Sequence, residues 1–452
     1  MKSTNSPCYG EVPGEWREIR LKYVAQFGPS KEGVNELHDR NEAVTFLPMD
    51  RISEKGEVDK EEQALISTVW GGFTFCQDGD VIVAKITPCF ENGKGALLDG
   101  LLNGVAFAST EFYVLRPHHQ LDGKYLYYLT YMYPFRDYGK AQMQGAAGQQ
   151  RVPQRMIKDL FIGLPQYSEQ QTIACFLDHK IDLIDQYIAN KKKQIELLEK
   201  LRTSIISKAV TKGLDPDVEM MDSGSIWLDK YPTHWEMKRL KFSVSQQKGG
   251  VIAGPFGTQL KTSEIATSGI RVYNQRIVID RDYSTVNNFV TEKKAEELSA
   301  FSTGPGDLLI SSRGTIGRCY LLPNSADIGV IHPCLLRVRP DRRKMLPEYL
   351  TIVIQDSEYV RTQVAVKSNA TTIEVIYAGT MKNIELPVPP IDEQLQIIER
   401  ITEESLKING AISQIKEQIE KIESYRASLI SEAVTGKIDV LRSFNSEPPT
   451  EA

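Results

Sequence analysis

Apolar residues in this chain fall into two kinds of pattern, and each kind occurs twice. Leu177, Ile181, Ile184, Ile188, Lys191, Ile195, Leu198, Arg202, Ile205 and Ala209 follow one another in steps of four and three. An offset of 224 residues carries that ladder onto Ile401, Ser405, Ile408, Ile412, Ile415, Ile419, Ile422, Arg426, Leu429 and Ala433. Alternating steps of four and three keep one apolar stripe turned toward a partner helix. Lys191, Arg202, Ser405 and Arg426 interrupt the stripe, and polar seam positions set register and partner at some cost in stability. Two ordinary amphipathic core helices would show the same period, but ladders this long with matched interruptions exceed the usual core helix. The ladders therefore predict long helices over 157–213 and 381–440.

The second pattern is of short β-branched runs broken by Gly, Pro and Asp, which predict strands and turns. PGEWREIRLK (Pro13–Lys22) resembles PTHWEMKRLK (Pro232–Lys241), and Gly79-Asp80 before VIVAK resembles Gly306-Asp307 before LLISSRG. FYVLRP matches LRVRP, and a Leu/Tyr-rich helix is predicted after each, at YLYYLTYMY and EYLTIVIQ. Here the offset drifts between 219 and 227, so the copies share a scaffold and differ in their loops. The predicted organisation is an α+β unit over 1–156, a helix over 157–213, a polar linker over 214–234, a second unit over 235–380, a helix over 381–440 and a disordered tail over 441–452.

Composition narrows the function mostly by exclusion. The 452 residues are 41% hydrophobic and 25% charged, ordinary for a soluble protein. No apolar run has membrane-spanning length, and the N-terminus lacks the apolar core of a signal peptide. The six cysteines form no CxxC pair and predict reduced thiols and a cytoplasmic location. Phosphate-loop, dinucleotide and nucleophile-elbow motifs are missing. Asp282, Glu292 and Lys294 loosely fit a metal-nuclease set, though TEKKAEELSA reads better as a solvated helix face. GKGALL and RGTIGR could form phosphate nests or plain turns.

Several loops carry residue types suited to DNA, although the net charge of −5 gives no general basic character. They supply Lys85, Thr87, Asn92 and Lys94, then Gln149, Gln150 and Arg151, in the first unit. In the second they supply Thr258, Gln259 and Lys261, then Ser312, Arg313, Thr315 and Arg318, then Lys367, Ser368, Asn369, Thr371 and Thr372. Lys and Arg neutralise phosphates, while Asn, Gln and Arg pair with base edges.

The paired starts LPQYSEQQ and VPPIDEQL, the paired ends ISKAVTKGLDPDVEMMDSG and ISEAVTGKID, the openings PGEW and PTHW, and the loops GPFGTQLKTSE and RGTIGR together resemble the specificity subunit of type I restriction–modification systems. The resemblance covers nearly the whole chain. It implies two target-recognition domains, each followed by a long helix, with the helices pairing as an antiparallel coiled coil. It implies double-stranded DNA, two methyltransferase subunits and motor–nuclease restriction subunits as partners. S-adenosylmethionine, ATP and magnesium would sit on those partners, with no cofactor and no catalysis on this chain. It also suggests that the faces around Glu169, Gln170, Glu393 and Gln394 bind methyltransferase, where the bare residues read as helix caps. Two unlike domains on one spacer should read two short half-sites at a fixed separation. The competing readings are a coiled-coil adaptor that binds only protein, and a self-sufficient restriction enzyme, which would need a metal-binding acidic cluster.

Overall fold

The β-branched runs form strands, and the strands form the same pair of sheets twice. The computed structural model describes residues 1–440 and 442, apart from 147, 246–248, 257, 286, 314–316 and 368–374. The expectation of a disordered tail thus lies outside the described residues, except for 442. One unit comprises residues 1–191 with 416 onward, and the other residues 192–415.

In the first unit Ala25–Phe27, Phe112–Pro117, Val81–Ala84 and Gly95–Leu97 form an antiparallel sheet in that order. Val81–Ala84 is buried at every position, which is why its sequence shows no polar alternation. A second sheet orders Gln63–Leu65, Ala43–Leu47, Val105–Ala108 and Thr74–Gln77, with the middle two strands parallel. Arg17–Arg20, within the repeated opening, pairs with Phe161–Leu164.

The second unit repeats this plan. Val251–Ala253, Leu335–Val338, Leu308–Ser311 and Cys319–Leu321 form the first sheet in that order. Phe289–Val290, Ile270–Tyr273, Gly329–Ile331 and Ser302–Thr303 form the second, again with its middle strands parallel. Glu236–Arg239 pairs with Glu385–Val388.

Two of the repeated motifs meet in space. Arg116 donates to Asp80 from Nε at 2.6 Å and from Nη2 at 2.8 Å, and the Asp80 side chain is fully buried. Arg339 grips Asp307 in the same bidentate way, at 2.7 Å for both bonds. Gly79 and Gly306 precede those aspartates with φ of 87° and 81°, a turn that favours glycine. The Gly-Asp and Arg-Pro repeats are thus two ends of one ion pair that fastens the turn before the central strand to its neighbour.

The long helices run over Tyr167–Lys212 and Ile391–Val434. Both begin later than the expected 157 and 381, because Phe161–Leu164 and Glu385–Val388 are strands. Pro165, and Pro389 with Pro390, then keep the preceding residues extended. The expected linker over 214–234 also holds structure, an antiparallel hairpin of Met220–Ser225 with Leu228–Pro232. All twenty seam positions are buried or partly buried. In the first unit Leu177, Ile184 and Ile188 share a core with Leu429, Ile430 and Ala433, so the start of one helix lies against the end of the other, in antiparallel fashion. In the second unit Ile206, Ala209 and Val210 share a core with Ile397 and Ile401.

The seam arginines cross between helices. Arg426 Nη1 reaches Asp185 Oδ1 at 3.1 Å, and Arg202 Nη1 reaches Asn409 Oδ1 at 3.2 Å. The 224-residue offset exchanges these two pairs, so each unit sets its helix register by the same polar contact. No helix among the described residues is long and apolar enough to cross a membrane.

The ion pair yields an asymmetric expectation. Asp80 is sealed from solvent, whereas the Arg116 side chain is 25% exposed. Arg116→Ala strands a buried carboxylate and should cost about 3–5 kcal/mol. Asp80→Ala leaves a guanidinium that can still reach water and should cost less. Urea denaturation of both variants checks the order, and equal losses would refute it.

Candidate nucleic-acid interface

Each unit is docked onto the helix ends through its opening tryptophan. Trp16 Nε1 donates to Glu169 Oε1 at 3.1 Å, and Trp235 Nε1 donates to Glu393 Oε2 at 2.8 Å. His234 Nε2 lies 2.8 Å from the same Glu393 oxygen. Desolvation pushes the Glu169 carboxyl above its ordinary value. The glycines that end the helices pack on the same indoles. A Cβ on Gly436 would lie 2.9 Å from Trp16, and one on Gly213 would lie 3.4 Å from Trp235.

Gln170 and Gln394 correct an expectation. Both are fully buried, so neither offers a face to a partner. Gln170 accepts from Asp122 N at 2.8 Å and donates to the carbonyls of Gln120 and Pro165. Gln394 accepts from Leu346 N at 2.8 Å and donates to the carbonyls of Lys344 and Pro389. Each amide fastens its helix start to the turn before the Leu/Tyr-rich helix. Buried amides are kept only when their hydrogen bonds are met, as they are here. Glu169 and Glu393 remain partly exposed.

In the first unit the sheet edge joins two loops that are distant in sequence. Thr87 N donates to Gln150 O at 3.0 Å, Val152 N to Lys85 O at 2.8 Å, and Ile86 bridges Arg151. Lys85, Thr87, Gln150 and Arg151 therefore lie together, with Gln149 beside them. Lys85 Nζ sits 5.2 Å from the Tyr113 ring centroid. Asn92 and Lys94 point elsewhere. Asn92 Nδ2 donates to Glu54 at 2.6 Å, and Lys94 Nζ donates to Met49 O at 3.0 Å. The reading of GKGALL as a turn fits better than a nest. Gly93 takes φ 76°, and Gly95 is a strand residue whose added Cβ would meet Ile82 O at 2.5 Å.

Glu111 closes this edge, and no spacing or motif along the chain points to it. Arg151 donates to Glu111 from Nε at 2.9 Å and from Nη2 at 2.7 Å. The guanidinium holds the Glu111 carboxyl below its ordinary value.

The second unit builds the same edge with other side chains. Ser312 N donates to Cys334 O at 3.0 Å, Ile376 N to Ser312 O at 2.9 Å, and Arg313 bridges Val375. Arg313 thus takes the place of Ile86, and its side chain is exposed. Gln275 Nε2 donates to Arg313 O at 2.8 Å and steadies that loop. Arg318 is also exposed, and its carbonyl accepts from Ser311 N. Ser312 is buried, with its hydroxyl on Cys334 O at 2.8 Å, so it shapes the edge and does not read from it. Thr258 and Lys261 are exposed. Gln259 spends its Oε1 on Phe256 N at 2.9 Å. Lys367 Nζ is drawn to Asn383 O at 3.1 Å and lies 5.5 Å from the Trp227 ring centroid. Thr315, Ser368, Asn369, Thr371 and Thr372 lie outside the described residues.

Two chemical possibilities lose ground on this geometry. His332 Nδ1 lies 3.0 Å from Cys334 Sγ, but burial lowers the imidazole and raises the thiol, the reverse of an activated thiolate. Asp282 is bound to Ser284, and Lys294 Nζ pairs with Glu264 at 2.9 Å and Glu297 at 3.2 Å. Among the described residues no three acidic, His or Cys side chains are placed to hold a metal ion.

A family model for the type I restriction modification DNA specificity domain matches residues 14–197 and 260–421. The EcoAI specificity subunit of a type I restriction enzyme from Escherichia coli is 34% identical over 39% of this chain and 30% of its own length. The EcoEI specificity subunit, also from Escherichia coli, is 34% identical over 39% of this chain and 29% of its own length. These matches span less than a third of either relative. The MjaVIII specificity subunit of Methanocaldococcus jannaschii is 24% identical over 71% of both chains. Among solved structures, a chain from a study of type I R-M complex assembly covers 95% of this one at 17% identity with a TM-score of 0.72, and all of that chain is matched. The HsdS subunit of Thermoanaerobacter tengcongensis covers 95% at 18% identity with a TM-score of 0.58, over 98% of its own length. At these identities the likeness establishes the fold.

The Glu111–Arg151 pair predicts a pH dependence. A carboxyl whose folded value is lowered stabilises the fold above its unfolded value and loses that contribution as pH falls. The stability difference between wild type and Glu111→Gln should therefore be present above pH 4.5 and shrink below it. Urea titrations across that range check this, and a difference independent of pH would contradict it.

Proposed function

This chain belongs to the type I restriction modification DNA specificity family, and we propose that it is the subunit that selects the DNA target of a type I restriction–modification complex. One observation carries the reading. The two units share sheet order, register and edge hydrogen bonds, yet fill the equivalent edge positions with different side chains. Ile86 and Arg151 stand in one unit where Arg313 and Val375 stand in the other. A duplicated scaffold with unlike reading edges suits a bipartite double-stranded target whose half-sites are unrelated.

In this proposal the repeated scaffold lets two methyltransferase subunits dock in equivalent ways, and motor–nuclease subunits join the assembly. Glu169 and Glu393 stay candidates for partner contact because their carboxylates are partly exposed. Methylation and ATP-dependent cleavage belong to the partners, which would hold S-adenosylmethionine, ATP and magnesium. This chain binds and positions, and catalyses nothing. Its negative net charge is tolerable when partner subunits share the grip on the phosphates. The paired helices set the gap between the half-sites, and the complex works in the cytoplasm.

Arg313→Ala tests the reading at one side chain. It should relax a single base position of one half-site by about 1–3 kcal/mol and leave the other half-site unchanged. Binding of the complex to a panel of single-base variants measures this. A uniform loss across all sequences would assign Arg313 to phosphate, and no loss would remove it from the interface.

A further inference from the structure

Phe256 is 81% exposed in a unit whose other aromatic side chains largely pack inward. Leaving such a ring in water forgoes the free energy that its burial would contribute. The ring does not hang from a loose loop. Phe256 N donates to Gln259 Oε1 at 2.9 Å, and Phe256 O accepts from Gln259 N at 2.8 Å. Gly254 passes so close to the 332–333 loop that an added Cβ would lie 2.2 Å from His332 O. The backbone bearing Phe256 is therefore fixed on both sides, and the aromatic is held out ahead of it.

The position of that turn gives the ring a role. Gly254 N donates to Leu335 O at 2.9 Å, and Ser312 N donates to Cys334 O at 3.0 Å. The turn with Phe256 and the loop with Arg313 thus leave the same edge of one sheet, from strands separated by a single intervening strand. With strands about 4.8 Å apart, their roots are about 10 Å apart, or about three base pairs at about 3.4 Å each. In the first unit the corresponding strand leaves the sheet two residues earlier, where Gly28 N donates to Val114 O at 2.9 Å, so the turn that presents Phe256 belongs to the second unit.

An arginine that distinguishes bases does so chiefly at guanine in the major groove. A phenylalanine leaving the same edge enters that groove with it. The apolar feature displayed there is the C5-methyl of thymine, whereas aromatic wedges between base steps are a minor-groove device. The geometry points to Phe256 as a specificity-determining residue that packs on a thymine methyl within about three base pairs of the position under Arg313. This rests on the reading that the second unit's loop edge faces DNA.

The test uses the chain in complex with its methyltransferase partner and a duplex whose two half-sites have been mapped by methylome sequencing. Each thymine of the half-site affected by Arg313→Ala is replaced in turn by deoxyuridine, which removes only the methyl. One replacement should weaken wild-type binding about four-fold, the effect of uncovering one methyl-sized group. Phe256→Ala should bind the thymine duplex about four-fold more weakly and ignore that replacement, while Phe256→Leu should keep part of the discrimination. Because the ring is exposed, Phe256→Ala should melt as wild type does. The inference is overturned if the half-site has no thymine, if no replacement matters, or if Phe256→Ala still distinguishes thymine from deoxyuridine. It is also overturned if a 2-aminopurine probe shows Phe256-dependent unstacking, which would mark a wedge. Should Arg313→Ala change base preference while Phe256→Ala changes nothing, only the thymine contact fails. Should the wild-type complex show no preference for either half-site, the DNA reading itself fails.

Discussion

The structure depends on how each globular unit is fastened to the helix ends. In each half an indole N–H meets a glutamate in the first turn of a long helix. A buried glutamine next to that glutamate ties the helix start to the turn before the Leu/Tyr-rich helix, and a glycine ending a long helix packs on the indole. Gly436 ends the second helix in φ 69°, with Lys437 N bonded to Glu432 O at 2.8 Å and Gly436 N to Ala433 O at 3.2 Å. That is the Schellman arrangement, which satisfies the last carbonyls and turns the chain sharply. Only a residue without a Cβ allows both that turn and the contact with Trp16.

Around this fastening the two halves keep what is mechanical and change what is presented. The Asp–Arg pairs, the mixed sheets, the crossing seam arginines and the edge hydrogen bonds recur at equivalent positions. Arg313 for Ile86 and Val375 for Arg151 do not. A scaffold of this kind can alter what it reads through a few loop residues without disturbing the core, since exposed loops tolerate substitution and buried ion pairs do not.

The sequence made the duplication, the helices and their seam legible because a period of three and four is imposed by burial along one face. The helix starts were less legible, since Phe161, Ile162 and Leu164 fit a strand as well as a helix and only Pro165 argues for the former. Gln170 and Gln394 looked like surface residues because side-chain type does not reveal the carbonyls waiting around a buried amide. The Gly-Asp and Arg-Pro motifs were visible as repeats, but their pairing is a fact of sheet order. Among the loop residues, Lys85 and Arg151 share an edge while Asn92 and Lys94 turn toward Glu54 and Met49, and no spacing rule distinguishes them. The partner of Arg151, Glu111, lies 40 residues away in sequence and across the sheet edge.

The central claim is that one chain selects a two-part DNA target through two unlike edges on a repeated scaffold. Methylome sequencing of a host with and without this gene tests it most directly. The account predicts a methylated motif made of two specified half-sites around an unspecified gap of constant length, present with the gene and lost without it. An uninterrupted motif, or a methylation pattern unchanged by deletion, would contradict it.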